Sequence, residues 1–217
     1  MRLPDGVKTV ADRLSAARLN SQEDQVRRHV LRGFASGTTP TTVTLAEQCG
    51  VSSRKAREIL LRLMAMDLLL LDRTGEAVLA AYPFSSTPTP HRVRLMGREV
   101  FALCAVDALG IPAMLRETAE ISSRCAHCES KVEVQAQPDT LSQYHSSEIA
   151  VWFPESEDDC CPVAQSRCPN ISFFCTDEHL KAWRWANGYP SGVVLSLLEA
   201  FEVGRVIFGS LLAEPES

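Results

Sequence analysis

Cys104 and Asp107 stand three residues apart, and Cys168 follows well downstream. On a helix, side chains at i and i+3 are neighbours, so a thiol and a carboxyl group at this spacing can reach one bound atom. The thiolate is a soft ligand and the carboxyl group can carry a proton. A second sulfur brought in from Cys168 would make the site a dithiolate. Taken alone, Cys104 reads as a core residue, because free cysteine is among the most buried residue types. Asp107 changes that reading. It lies among Val100, Leu103, Val106, Leu109 and Ile111 with no Lys or Arg at i+4, and a carboxylate is costly to bury there unless it is paired or functional.

The other cysteines offer a competing chemistry. Cys125-Ala-His-Cys128 has C-x-x-C spacing, and Cys160-Cys161 with Cys168 follows some way on, so a zinc site must be weighed. The second half is a vicinal pair followed by Pro162, which is a poor match to the turn pair that zinc ribbons use. Cys160 and Cys161 follow Glu155, Glu157, Asp158 and Asp159 and read as an exposed acidic loop. Cys49 reads as a small buried hydrophobe. None of His29, His91, His127, His145 and His179 stands at recognisable ligand spacing with another, and no role is assigned to them.

The elements that must position these groups fall into two halves. Residues 1–84 hold 12 Lys/Arg against 9 Asp/Glu, net +3, and residues 85–217 hold 10 against 18, net −8. Pro83 to Pro90 carries three prolines and four hydroxyl residues, a composition that stays extended. The expected organisation is a domain over 1–84, a Pro/Ser/Thr-rich linker over 85–90 and a second domain over 91–217. In the first half, Gln25–Ala35 has helical spacing, Thr44–Cys49 is a short helix closed by Gly50, and Ser52 or Ser53 caps a helix to Met66. Leu68–Tyr82 gives two apolar runs around Gly75, so the whole resembles a helix-turn-helix followed by a wing.

In the second half, Arg92–Leu109 is predicted as a helix with Cys104 and Asp107 in its last turns, ended by Gly110 and Pro112. Lys131–Ala136, Ile149–Phe153 and Ile171–Phe174 read as short strands. Thr176 caps a helix that ends near Gly188, and a final helix is predicted over Val193–Leu212. The fold class is therefore α+β: a winged-helix-like helical domain, then a catalytic domain of short strands flanked by helices.

A hydrophobic content of 45% marks a globular chain rather than a disordered one. The amino-terminal stretch lacks a signal-like apolar run, and the run Leu60–Leu71 is broken by Arg62 and Asp67. A cytoplasmic protein with reduced thiols is the expectation, with no membrane partner. Arg54, Lys55, Arg57 and Arg62 could meet phosphates, but the charge is a small electrostatic footprint and DNA is not the expected partner.

Three blocks, each centred on a cysteine, carry a resemblance: Val93 to Pro112 around Cys104, Ile121 to Cys125, and Ser166 to Phe174 around Cys168, with Trp183 after them. Together they resemble bacterial organomercurial lyase, also called alkylmercury lyase, a family that also begins with a winged-helix-like domain. The resemblance implies protonolytic cleavage of a carbon–mercury bond to a hydrocarbon and Hg(II). It places Cys104 and Cys168 on the two mercury-binding catalytic cysteines, Asp107 on the catalytic acid and Cys125 on a structural cysteine. It implies no cofactor, with mercury as substrate and bound product, and small thiols or a mercuric reductase as acceptors of Hg(II). Many members have a second cysteine directly after the later catalytic one, where this chain has Pro169, so Cys160 and Cys161 stand as rivals for the second sulfur. Two other readings remain open: a winged-helix regulator that senses a thiophilic metal through its cysteines, and a zinc-stabilised interaction module.

Overall fold

The computed structural model describes residues 14, 19–154, 163–166, 168–188 and 191–213. Cys160 and Cys161 lie outside them. The molecule mixes helices with sheets whose strand pairings are all antiparallel among the described residues.

From residue 19 onward the described residues form three helices in succession: α1 (Ser21–Ala35), α2 (Thr42–Cys49) and α3 (Ser53–Ala65). Each starts where a short polar side chain accepts the amide three residues on: Asn20 from Glu23, Thr41 from Thr44 and Ser52 from Lys55. Gly50 closes α2 at φ 65°, a left-handed conformation that glycine adopts without strain. A hairpin follows, β1 (Leu69–Leu71) and β2 (Val78–Ala81). In its loop, Asp72 accepts the amides of Glu76 and Ala77.

Strand β3 (Phe84–Ser85) pairs with β2 on one side and with β5 (Arg98–Ala102) on the other. Together with β4 (Arg92–Leu95), β6 (Ala119–Arg124), β7 (Lys131–Ala136) and β8 (Leu141–Tyr144) they form one eight-stranded sheet, ordered β1-β2-β3-β5-β4-β6-β7-β8. One continuous core takes Val26 and Leu60 from the first helices and Leu109 and Phe201 from the later ones.

The helix predicted over Arg92–Leu109 is instead the β4–β5 hairpin followed by a helix, α4 (Ala105–Leu115). Val93 and Leu95 point inward while Arg92 and Arg94 are exposed, an alternation of period two that the three-and-four spacing of Val93, Met96 and Val100 concealed. Met96 and Gly97, both at positive φ, make the tight turn. Cys104 and Asp107 therefore sit at the start of a helix rather than at its end.

A second sheet has the order β10-β9-β11, built from β9 (Ala150–Pro154), β10 (Phe173–Phe174) and β11 (Gly192–Ser196). Between β9 and β10 lie the single-turn α5 (Val163–Ser166) and a 3-10 turn, Cys168–Asn170. Helix α6 (Asp177–Asn187) is capped by Thr176 and ends at Gly188 in the left-handed conformation. The helix predicted over Val193–Leu212 begins only at Leu197, giving α7 (Leu197–Phe208). The β-branched Val193 and Val194 pair with Phe153 and Trp152 in the sheet, and the reciprocal capping of Ser196 with Glu199 fixes the helix start.

Helices α4 and α7 pack closely through two glycines. A Cβ placed on Gly204 would lie 2.7 Å from the Val106 carbonyl oxygen and 2.8 Å from the Gly110 amide nitrogen. This contact seats the helix that bears Asp107.

Candidate active site

Cys104 occupies the cap position of α4 with an extended backbone, φ −152° and ψ 177°. Its Sγ accepts the Asp107 amide at 3.3 Å, a role usually taken by a hydroxyl or carboxylate oxygen. Asp107 falls in the first helical turn, where the helix dipole favours negative charge.

Cys168 reaches the same place through backbone stitching. The Ala105 amide donates to the Ile171 carbonyl at 3.0 Å, and the Ile171 amide donates to the Cys168 carbonyl at 3.0 Å. The residue after Cys104 is thereby tied to the turn that holds Cys168. Asn170 Nδ2 donates to the Ser166 carbonyl at 3.1 Å, and the Ala164 amide donates to the Tyr82 hydroxyl at 2.7 Å. The Tyr82 hydroxyl donates in turn to Asp67 at 3.1 Å, so the first half of the chain anchors the segment that leads into Cys168.

One ligand atom each from Cys104, Asp107 and Cys168 lies within 4.8 Å of the other two. All three residues are buried, at 1%, 4% and 4% exposure. Burial raises the Asp107 carboxyl group to about 7, against the opposing effect of the two thiols, and Oδ2 has no hydrogen-bond partner among the described residues. Burial, with Cys168 and Asp107 adding to it, holds the Cys104 thiol well above its ordinary range. The resting site is thus poised to hold protons, and a soft metal that displaces them would meet two sulfurs and a carboxyl group in a dry environment.

The sequence-predicted trio converges, and its partner residues do not all belong with it. Cys125 and Cys128 gather elsewhere, with Cys175 and His179, in a second cluster whose ligand atoms also lie within 4.8 Å of one another. The C-x-x-C pair thus faces Cys175 and His179 rather than Cys168. Sequence reasoning passed over Cys175 and assigned His179 no role; the available signal was a cysteine and a histidine four apart at the start of a capped helix. His91, another histidine without an assigned role, is buried, 2.9 Å through Nδ1 from the Ser123 hydroxyl, and desolvation lowers it to about 4. It is a neutral core histidine. An open concavity on the sheet surface, lined by Arg92, Arg94, Glu99 and Glu120 among others, contains none of the trio, and its charges are paired with one another.

The alkylmercury lyase family model matches residues 84–209, which include Cys104, Asp107 and Cys168. An alkylmercury lyase of Staphylococcus epidermidis is 29% identical over 88% of this chain and 88% of its own length, and one of Bacillus cereus is 27% identical over 83% and 79%. A solved structure described as the mercury-bound form of MerB2 superposes with a TM-score of 0.80 at 23% identity, covering 95% of this chain and 98% of the other, so the whole architecture is shared. A family model that spans over half of the residues, and relatives aligned along most of their lengths, agree with the three cysteine-centred blocks: the chain belongs to the alkylmercury lyase family.

Proposed function

We propose that this protein cleaves the carbon–mercury bond of alkyl- and arylmercury compounds by protonolysis, with Cys104 and Cys168 as mercury ligands and Asp107 as the proton carrier. The observation that carries the reading is the burial of two sulfurs and one carboxyl group, from segments distant in the chain, within 4.8 Å of one another.

The difficulty of the reaction lies in its leaving group, because a departing carbanion is unstable in water. Thiolate is the softest ligand a protein offers and matches mercury, so two cysteinates push electron density through the metal toward carbon. Asp107 accepts the proton released as a cysteine thiol binds mercury, and then delivers it to the carbon. The electron pair of the carbon–mercury bond becomes the new carbon–hydrogen bond. The products are a hydrocarbon and Hg(II) held by the two sulfurs. A carboxyl group held near 7 can both take and give the proton around neutral pH. Small thiols, or a mercuric reductase, then remove Hg(II) by associative exchange between thiolates.

The first three helices and the β1–β2 hairpin follow the order of a winged helix, and we read them as scaffold rather than as a DNA-binding unit. Arg57 pairs with Glu76 at 2.8 Å, Arg62 with the buried Glu23 at 3.0 Å, and Lys55 with Glu58 at 3.8 Å. Basic groups that are already paired are poorly placed to neutralise phosphates. This weighs against the regulator reading, and the location favoured by reduced thiols is the cytoplasm. Among the described residues no helix is long and apolar enough to cross a membrane.

The test is benzene release from phenylmercury in excess thiol. Cys104→Ser, Cys168→Ser and Asp107→Ala should each lose at least about 100-fold in rate, the scale of a removed general acid. Full activity of Cys168→Ser, with loss in Cys161→Ser, would move the second sulfur to the vicinal pair. Absence of hydrocarbon from the unaltered protein would defeat the reading.

A further inference from the structure

The second cluster lies outside the reaction just described. Cys125 ends the exit from β6, and the turn after it is a compact knuckle: the Glu129 amide donates to the Cys125 carbonyl at 2.9 Å, and the Cys125 amide donates to the Ser130 carbonyl at 2.8 Å. Glu129 takes a positive φ of 60° to close the turn. This bend brings Cys128 back beside Cys125. Cys175 directly follows β10, and His179 stands in the first turn of α6, its amide capped by Thr176 at 3.3 Å. Two segments of unrelated sequence position thus present two donors each.

The Cys128–Cys175 and Cys125–His179 separations fit a tetrahedral ion, while Cys175 and His179 stand at hydrogen-bond distance and would part on binding it. Zinc–sulfur bonds of about 2.3 Å at tetrahedral angles put two sulfurs about 3.8 Å apart, and a sulfur and a ring nitrogen slightly closer. Here the Cys128 and Cys175 sulfurs are 3.5 Å apart, Cys125 Sγ is 3.8 Å from His179 Nδ1, and Cys175 Sγ is 2.9 Å from the same nitrogen. Packing accounts for only one of the three thiols: Cys125 is buried, whereas Cys128 is exposed and Cys175 is half-buried. An exposed thiol beside a half-buried one would, without a ligand, be prone to oxidation.

We propose that Cys125, Cys128, Cys175 and His179 form a structural zinc site, separate from the Cys104–Asp107–Cys168 trio. Four protein donors leave no open position, so the ion would hold structure rather than activate water. What it would hold is the join between the two sheets. The Ala126 amide donates to the Phe173 carbonyl at 3.0 Å, and the local core is small: Cys125, Ala150, Trp152, Phe174 and Leu180. So small a cluster gains from a metal clip. The clip fastens the end of β10, a few residues beyond Cys168, to the loop after β6, and so steadies the turn that carries the second catalytic sulfur.

The test measures metal rather than turnover. Protein carrying Cys104→Ser and Cys168→Ser, which removes the thiols of the trio, is purified under reducing conditions and its zinc measured by plasma mass spectrometry. Zinc should remain stoichiometric. Adding Cys128→Ser or His179→Ala to that background should remove it. Replacement of the ion by Co(II) in the same Cys104→Ser, Cys168→Ser background should give the intense visible bands of a tetrahedral thiolate site, a readout that needs no substitution within the cluster itself. Reduced protein that holds no zinc and gives no tetrahedral cobalt spectrum would overturn the proposal. So would zinc that is lost with Cys104 and Cys168 yet survives Cys128→Ser.

Discussion

The stability of an Asp107→Asn variant of the mercury-free protein, measured relative to wild type, should rise from acid to alkali. The carboxyl group is 4% exposed and its Oδ2 is unpartnered among the described residues. Burial raises its pKa from an ordinary 3.8 to about 7. The folded chain therefore keeps this proton to higher pH than the unfolded chain does. Stability contributed by the neutral form is fully present below pH 3.8 and is lost as pH rises through 7. At about 1.36 kcal/mol per unit, the loss comes to about 1.7 kcal/mol at pH 5 and about 4 kcal/mol at pH 8. Asparagine has nearly the same shape and does not titrate, while its unpaired amide costs about 1–3 kcal/mol at either pH. The difference in unfolding free energy between variant and wild type should thus grow by about 2.5 kcal/mol between pH 5 and pH 8, whatever the constant offset. Contributions common to both proteins, including that of His91, cancel in this difference. Urea unfolding of reduced protein at the two pH values measures it. A difference that does not change with pH would refute the reasoning, because it would mean that Asp107 ionises alike in the folded and unfolded chains.

Gly204→Ala should destabilise by about 1–3 kcal/mol, since the added methyl has no room against α4 and must push the helices apart; thermal unfolding reads this directly. Tyr82→Phe removes the acceptor of the Ala164 amide, and should cost about 1–3 kcal/mol while slowing hydrocarbon release by loosening the approach to Cys168. Paired melting and rate measurements would expose any separation of the two effects. His91, lowered from 6.5 to about 4, binds its proton later in the folded chain than in the unfolded one, so its contribution is lost as pH falls through that window, by up to about 3 kcal/mol. His91→Gln should flatten the acid limb of a urea-midpoint profile relative to wild type, and an unchanged limb would exclude His91 as its source.

The sequence by itself determined those features that rest on local chemistry. Ser52 and Thr176 cap helices because each offers an oxygen to an amide three residues on, and Gly50 and Gly188 end helices because each takes a left-handed backbone. Lys131–Ala136 alternates cleanly and forms a strand with those bounds. Cys104, Asp107 and Cys168 were legible as a set from residue type and family resemblance. Where two periods fit the same apolar residues, as over Arg92–Ala102, local pattern could not separate a helix from a hairpin, and pairing with β3 and β6 decided it. Val193–Leu195 likewise became a strand because β9 offered an unpaired edge. Only the tertiary structure decided which sulfurs meet. The turn that holds Cys168 is tied to α4 through the Ala105 amide, which donates to the Ile171 carbonyl, and Cys175 and His179 turn toward Cys125 and Cys128 because β10 runs between the two clusters. Nothing in the spacing of donors so far apart encodes that sorting, since their separation in space is set by the packing of the sheets between them.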